Sequence, residues 1–234
     1  MFKRIIKMLK SQTFEIVSPN IYSQYGEDAV IYKLLCALSI NLPSYLDIGA
    51  HHPISDSNTY LLYRNGSRGV LVEANPELIE TIKSVREKDV VLNYGILDSP
   101  NTSLPFYIMT QKGWSTFSKE YAERAVKNNL SKIVKIIHVE IKDINEIINK
   151  YFNGKTPDFI SIDVEQFDMM VLKSLDIKKY RPALICIEVS SKDEIREYMK
   201  NNDYVLWGCT YVNDIYLSNE KFQIIAKIHG WNVE

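Results

Sequence analysis

The sequence predicts an α/β fold in which helices cover both faces of a mostly parallel sheet. Short apolar runs that end in Asp, Glu or Gly alternate with amphipathic stretches of helical period between residues 45 and 190. Such alternation is typical of strand–helix–strand units, whose parallel strands are buried on both faces. Two further apolar runs, residues 204–211 and 213–219, follow each other with no helix between them. They predict an antiparallel hairpin at one edge of the sheet.

The boundaries of the elements follow from local signals. Pro76 stands just before a helical pattern, and Gly66 stops an earlier one. Prolines also precede the fourth and fifth apolar runs. The predicted strands are residues 43–50, 68–76, 90–97, 156–165, 182–190, 204–211 and 213–219. The predicted helices are residues 26–38, 57–66, 77–88, 167–177 and 192–202.

One domain is the expected organisation of a chain of 234 residues. We expect it to span residues 1–234, with residues 1–40 as an N-terminal helical extension or lid. The net charge of −1 provides no broad field that would recruit nucleic acid. The three cysteines are far apart, which disfavours a disulfide framework or a zinc site and favours a cytoplasmic protein. The N-terminal apolar runs are too short for a transmembrane segment.

Acidic residues stand at the ends of four predicted parallel strands. Asp47 ends the first strand, Glu73 the second, Asp163 and Glu165 the fourth, and Glu188 the fifth. Parallel strands bring their carboxyl ends to one edge of the sheet, where ligands bind at the point of strand-order reversal. Buried carboxylates are costly unless they are paired or bind a ligand. The sequence therefore predicts a ligand site at this edge.

The turn after the first strand, DIGAHHPIS, indicates the kind of ligand. It contains one glycine, Gly49, where the pyrophosphate-binding turn GxGxxG needs three. An adenosine cofactor without phosphates places a weaker demand on the turn, and Glu73 could accept both ribose hydroxyls. These points indicate S-adenosylmethionine. In the alternative interpretation, Glu73 caps the following helix. His51 and His52 are adjacent, which disfavours a shared metal ion, because zinc-binding histidines are usually spaced more widely.

The chain resembles the FkbM-type methyltransferases, a class I group that depends on S-adenosylmethionine. The resemblance lies in SQYGEDAVIYKLL, YLDIGAHHPISDSNTYLLYRNGSRGVLVEANP, VVLNYGI, STFSKE and PDFISIDVEQFDMMVLKSLDIKKYRPALICIE. It implies a Rossmann-like class I methyltransferase fold, a three-layer sandwich around a seven-stranded sheet. It also implies methyl transfer to an oxygen, often a hydroxyl of a sugar or a secondary metabolite. The chain departs from the family at Gln166, where a glycine usually follows DVE.

Ten residues are expected to contact the cofactor. Asp47 would face its methionine amino group or order the turn, and His51 would bond its carboxylate. The resemblance makes the SQYGED segment a lid, with Gln24 as its contact residue, and Ile96 and Asp98 are expected beside the adenine. The full set is Gln24, Asp47, Gly49, Ala50, His51, Asn58, Glu73, Ala74, Ile96 and Asp98.

The catalytic candidates are Asp163, Glu165 and His51. A hydroxyl is a poor nucleophile, so it needs a base or a cation that lowers its pKa, and Asp163 is the expected base. Asp163 and Glu188 could together hold Mg²⁺, because carboxylates suit that ion. The acids could instead be ordered by a bridging residue such as Arg181.

The expected acceptor is a small molecule or a sugar, for example in a surface polysaccharide or a secondary metabolite. Residues 99–135, with Trp114, are expected to form part of its pocket. The chain could also form a homo-oligomer. Two alternatives stay open: an inactive nucleotide-binding module of the same fold, and a nucleotide-dependent oxidoreductase with a degenerate turn.

Overall fold

The computed structural model describes residues 21–231, which form ten strands, eight α-helices and a 3₁₀ turn. The strands are β1 (Tyr45–Ile48), β2 (Gly69–Val72), β3 (Val90–Leu92), β4 (Gly95–Ile96), β5 (Ser103–Met109), β6 (Ile133–Lys142), β7 (Phe159–Ile162), β8 (Leu184–Glu188), β9 (Tyr204–Cys209) and β10 (Asn213–Ser218). The helices are α1 (Glu27–Ala37), α2 (Tyr60–Arg64), α3 (Pro76–Val85), α4 (Lys119–Lys127), α5 (Ile144–Tyr151), α6 (Asp168–Ser174), α7 (Lys192–Asn201) and α8 (Asn219–His229). The 3₁₀ turn is Lys112–Trp114.

The main sheet confirms the predicted architecture. It has seven strands in the order β3-β2-β1-β7-β8-β10-β9. The first five are parallel, and β10 is antiparallel to both β8 and β9, which gives the predicted hairpin at one edge. The chain runs outward from β1 to β3 and then returns to place β7 on the other side of β1. Strand order therefore reverses between β1 and β7, which is where such sheets bind ligands.

A second sheet of three strands, in the order β4-β6-β5, was not predicted from the sequence. The predicted strand 90–97 is in fact divided: β3 pairs with β2 of the main sheet, whereas β4 pairs with β6. Asn93 lies at the break, and its side chain donates to the carbonyl oxygens of Glu73 and Ala74. The chain is thereby diverted away from the main sheet and towards the edge where the site lies.

The core lies on both faces of the main sheet because successive side chains of a strand point to opposite sides. Leu46, Ile160 and Ile185 belong to the hydrophobic cluster on one face. Phe159 and Cys186 belong to the cluster on the other face. Cys186 is fully buried, as a small hydrophobic residue would be.

Helix α1, which lies within the predicted N-terminal extension, packs against this core. Ile31 and Leu35 are buried in the second cluster. Glu27 accepts hydrogen bonds from Thr210 and Asn213, which ties the start of the helix to the β9–β10 hairpin. Residues 1–20 of the predicted extension lie outside the described residues. None of the helices within 21–231 combines the length and the hydropathy that crossing a membrane requires.

Candidate active site

The loops after β1 and β7 touch each other at the point of strand-order reversal. Gly49 directly follows β1 and has a φ of 85°. A Cβ atom at this position would lie 1.7 Å from the carbonyl oxygen of Asp163. Both the positive φ and the close approach exclude any larger residue. The one glycine of the DIGAHHPIS turn therefore serves the packing of two loops, a different role from the glycines of a pyrophosphate-binding turn.

Glu73 holds the turn after β1 from the neighbouring strand. Its carboxylate accepts from the backbone N–H of His51 at 2.8 Å and from that of Asn75 at 2.7 Å. Burial raises the pKa of Glu73, and the two N–H bonds partly offset this rise. Glu73 is not the cap of helix α3, because the Asn75 side chain accepts from Glu77 at that helix start.

An open cleft lies above these residues. It encloses about 680 Å³, part of which is open to solvent. Its floor is formed by the carboxyl ends of β1, β2 and β7. Its walls are formed by β4 and by four residues between β5 and helix α4: Lys112, Gly113, Ser115 and Phe117. The sequence-predicted residues that line it are Gly49, His51, Glu73, Ala74, Ile96, Asp163 and Glu165.

The other expected cofactor residues do not line the cleft. Asp47 accepts a hydrogen bond from the Thr59 hydroxyl at 2.6 Å. It therefore orders the segment that follows β1 from the strand itself. The Asn58 amide donates to Ser161. Ala50 is buried in the core, whereas Gln24 and Asp98 are exposed. None of residues 22–28 is in the cleft wall, and the lid role of this segment stays a prediction.

Aromatic residues that the sequence reasoning missed form much of the wall. Tyr94, Phe106 and Phe117 line the cleft, and the Phe106 and Phe117 rings are 4.8 Å apart. The expected segment 99–135 does contribute, but Trp114 packs instead in a small cluster with residues of β5 and α4. The apolar run 106–109 was the available signal, but it does not reveal which strand β5 pairs with.

A group of carboxylates lies beside the cleft. One oxygen each of Asp163, Asp168 and Glu188 lies within 4.8 Å of the others. Asp163 and Glu188 are the pair predicted from the strand ends, and Asp168 adds to it from the start of helix α6. Asp168 accepts from the Val164 N–H and the Ser190 hydroxyl. The Oε2 atom of Glu188 is buried and has no hydrogen-bond partner among residues 21–231.

Burial and mutual repulsion change the acidity of this group. Burial, and next the Glu188 charge, raise the pKa of Asp163 well above its ordinary value. The pKa of Glu165 rises to about 8 through burial and then through Asp163. That of Glu188 also rises to about 8, through burial and then through Asp168 and Glu165. The group therefore shares protons near neutral pH. Nearby His51 has a lowered pKa, mainly because it is buried, so its imidazole is neutral at pH 7.

Two departures from the sequence interpretation concern this group. Arg181 does not bridge the acids, because it pairs with Glu220 at 2.9 Å on another part of the surface. Gln166 has a φ of 85°, a left-handed conformation that favours glycine. This explains why a glycine suits the position after DVE and indicates that Gln166 strains the loop.

Comparison with known proteins supports a methyltransferase. The family profile described as "Methyltransferase FkbM domain" matches residues 47–206, which is more than half of the chain. No curated protein sequence matches the chain.

Among solved structures, the chain is similar to a TehB-like SAM-dependent methyltransferase from Corynebacterium glutamicum, with a TM-score of 0.43 and 10% identity over 93% of this chain and 96% of that one. It is also similar to an O-methyltransferase from Bacillus cereus in complex with SAH, with a TM-score of 0.41 and 13% identity over 92% and 88%. These similarities are too low to transfer a substrate or a residue role.

Proposed function

Because the chain belongs to the FkbM methyltransferase family, we propose that it methylates a hydroxyl oxygen of a sugar, in a surface polysaccharide or a secondary metabolite. The family and the seven-stranded sheet establish the coarser statement: the protein is an S-adenosylmethionine-dependent methyltransferase with a class I fold. The cofactor position, the residues that carry out the reaction and the acceptor of the methyl group are inferred below from the cleft and the acids beside it.

The shape and chemistry of the cleft support the cofactor position. Glu73 offers a buried carboxylate at the end of β2, which suits a pair of ribose hydroxyls. Apolar and aromatic side chains, including Ile96 and Phe117, offer a face for an adenine ring. A nucleoside therefore fits this set of groups. The close contact between Gly49 and Asp163 supports a cofactor position next to the acids that follow β7.

The reaction needs positioning and a proton acceptor from this chain. When bound, the cofactor supplies a methyl group activated by a sulfonium. Asp163 lies between the cofactor cleft and the acid group, where it can accept the proton of an acceptor hydroxyl. A base works best when its pKa is near the operating pH, and burial moves the acids of this group in that direction. Glu165 and His51 are the further candidates for the same role.

The acid group also supports a second version of the mechanism that involves Mg²⁺. Asp163, Asp168 and Glu188 bring three carboxylate oxygens together, and the Oε2 atom of Glu188 has no partner among the described residues. Hard oxygen ligands suit Mg²⁺, which would supply acidification of the acceptor hydroxyl. A chelator separates the two versions. Activity that is lost with chelator and restored by Mg²⁺ supports the metal, whereas unchanged activity supports Asp163 as a metal-free base.

Neighbouring hydrogen-bond acceptors favour a hydroxyl-rich acceptor. Glu165, Glu188 and Asp163 can each accept from hydroxyl groups, and a sugar presents several hydroxyls at once. The sugar preference rests on this chemistry and on the resemblance to the family.

Two measurements test the proposal in sequence. Calorimetry with S-adenosylmethionine, S-adenosylhomocysteine, NAD and NADP should give binding of the first two alone. A methyl-transfer assay with a panel of sugars and non-sugar hydroxyl compounds should then give labelled product with a sugar. Binding of NAD in preference would restore the oxidoreductase alternative. Cofactor binding without transfer to any hydroxyl would favour an inactive module.

A further inference from the structure

Arg86 is a fully buried cation that the reaction scheme above does not use. It directly follows helix α3, and its relative exposure is 0%. Its Nε donates to Asp89 at 2.8 Å, and its Nη1 to the carbonyl oxygen of Pro53 at 3.2 Å. Its Nη2 donates at 3.0 Å to both the Tyr45 and Thr59 hydroxyls. The guanidinium is thus bonded in several directions at once.

Stability alone does not explain why the charged Arg86 side chain is buried. Burial alone would lower the pKa of Arg86, but Tyr45, Asp89 and Asp47 together raise it, so the side chain stays charged. The side chains of Arg86 and Asp89 are both completely buried. Such pairs often contribute less stability than apolar residues of the same size, because both ions lose their water. Arg86 instead supplies directional bonds that no apolar side chain could replace.

Those bonds reach the loop that forms the cofactor side of the cleft. Residues 49–59 connect β1 to α2, a helix of only five residues. His51 and Asp56 in this loop have positive φ values of 42° and 55°. Such strained residues persist only where their surroundings hold them, so the bonds that other elements make to this loop matter for its shape.

Arg86 holds this loop at two points and joins it to the strand below. It bonds Pro53 in the middle of the loop and Thr59 at its end. The Thr59 hydroxyl in turn donates to Asp47 at 2.6 Å, within β1. Asp47, Thr59 and Arg86 therefore form one chain of hydrogen bonds beneath the residues that face the cleft.

We propose that Arg86 is a positioning residue for the cofactor, acting through Thr59 and Pro53 to hold residues 49–59 in the shape that the cofactor needs. The inference rests on the proposed binding of S-adenosylmethionine in this cleft. The loop that Arg86 holds carries the His51 N–H, which bonds Glu73 across the cleft floor. Because Arg86 acts through this loop, loss of its bonds should weaken cofactor binding although Arg86 itself does not contact the cofactor.

The test compares variants inside and outside this hydrogen-bond chain. R86K keeps the charge but not the fork of donors, T59V removes the hydroxyl with little change of shape, and T59S restores the hydroxyl. R196K is the control, because Arg196 also bonds a buried carboxylate, that of Asp214, but lies near the other edge of the sheet and makes no bond to this loop. The probe is S-adenosylhomocysteine, measured by calorimetry well below the melting temperature.

R86K and T59V should each weaken binding about tenfold, the effect of roughly one hydrogen bond to a charged group. T59S and R196K should bind within about twofold of the unmodified protein, since neither loses a bond to this loop. Amide exchange within residues 51–59 should speed up in R86K and T59V alone. If R86K does not fold, T59V against T59S carries the test.

Two results would overturn the positioning role. The first is unchanged affinity for S-adenosylhomocysteine in T59V and R86K. The second is a loss of affinity in R196K as large as that in R86K, which would mean general destabilisation. Failure of the unmodified protein to bind the probe is a separate result. It would remove the proposed cofactor site itself.

Discussion

The two loops that meet at Gly49 are built in opposite ways. Around the loop after β1, the buried charges of the neighbouring elements are compensated: Arg86 pairs with Asp89, and the Glu73 carboxylate accepts two backbone N–H bonds. Around the loop after β7, partly buried acids of this loop and of the end of β8 lie close together, and the pKa values of Glu165 and Glu188 rise to about 8. The bonds around the loop after β1 fix its shape, whereas the loop after β7 holds carboxylates close to one another, where their negative charges repel.

This difference separates binding from chemistry. Compensated charges stabilise a fixed surface, as a cofactor site requires. Acids with strongly raised pKa values destabilise the folded protein, and they concentrate where proton transfer takes place. The cofactor side and the acceptor side of one cleft can therefore be tested by substitutions that affect only one of them.

The largest effect is expected on the acceptor side. Asp163→Asn keeps the shape and removes the charge, so turnover should fall by about 10²–10⁴ if Asp163 is the base. Affinity for S-adenosylhomocysteine should change little. Steady-state kinetics and calorimetry on the same preparation give both values, and Asp193→Asn in the exposed first turn of α7 is the control. Full turnover of Asp163→Asn would make His51 the next candidate base.

The next effect is expected on the cofactor side. Glu73→Ala should weaken S-adenosylhomocysteine binding by roughly 1.5–3 kcal/mol, because charged hydrogen bonds to ribose are lost. Glu80→Ala in the same helix α3 provides the control, since it removes only an exposed ion pair with Lys83. The affinities are measured by calorimetry. If folded Glu73→Ala and the unmodified protein bind S-adenosylhomocysteine equally well, Glu73 does not contact the cofactor.

Stability should depend on pH through Glu188. Its pKa is raised from 4.5 to about 8. The folded state therefore holds the proton more tightly than the unfolded state, so the contribution of Glu188 to stability is fully present below pH 4.5 and is lost as pH rises through 8. Glu188→Gln cannot ionise and should gain about 1–3 kcal/mol at pH 9 and almost nothing at pH 4. Denaturant unfolding at the two pH values measures this, and an equal effect at both would contradict it.

The smallest effect concerns the strained position in the second loop. Gln166→Gly should raise the free energy of unfolding by about 0.5–1 kcal/mol, because glycine adopts the observed φ without strain. Gln111→Gly is the contrasting variant: Gln111 has a φ of −87°, so glycine there should destabilise. A loss of stability in Gln166→Gly would show that the side chain makes contacts worth more than the strain.

Local patterns predicted the main sheet and the acids at its edge. A short apolar run that ends in a carboxylate marks a buried parallel strand, and parallel strands bring their ends together. Asp163 and Glu188 met for this reason, although 25 residues of chain separate them. The hairpin 204–219 was predicted because no helical pattern divides it.

Other features depend on distant contacts that no local pattern contains. The strand β4 has two residues, and only its pairing with β6 identifies it. Arg86 stands in SVREK, a pattern that is typical of an exposed helix end. It is buried because Tyr45, Thr59 and Pro53, which are distant in sequence, pack against it. Asp47 was expected to face the cofactor or to order the turn, and its bond with Thr59 agrees with the second role. Asn58 was expected at the cofactor, and only the fold shows that its amide donates to Ser161 of β7.

A crystal structure of the protein with S-adenosylhomocysteine would test the proposed cofactor position directly. We expect the ribose hydroxyls within hydrogen-bond distance of the Glu73 carboxylate, the adenine beside Ile96 and Phe117, and the sulfur directed towards Asp163. Binding at another edge of the sheet, or a ribose that does not reach Glu73, would contradict the assignment of this cleft.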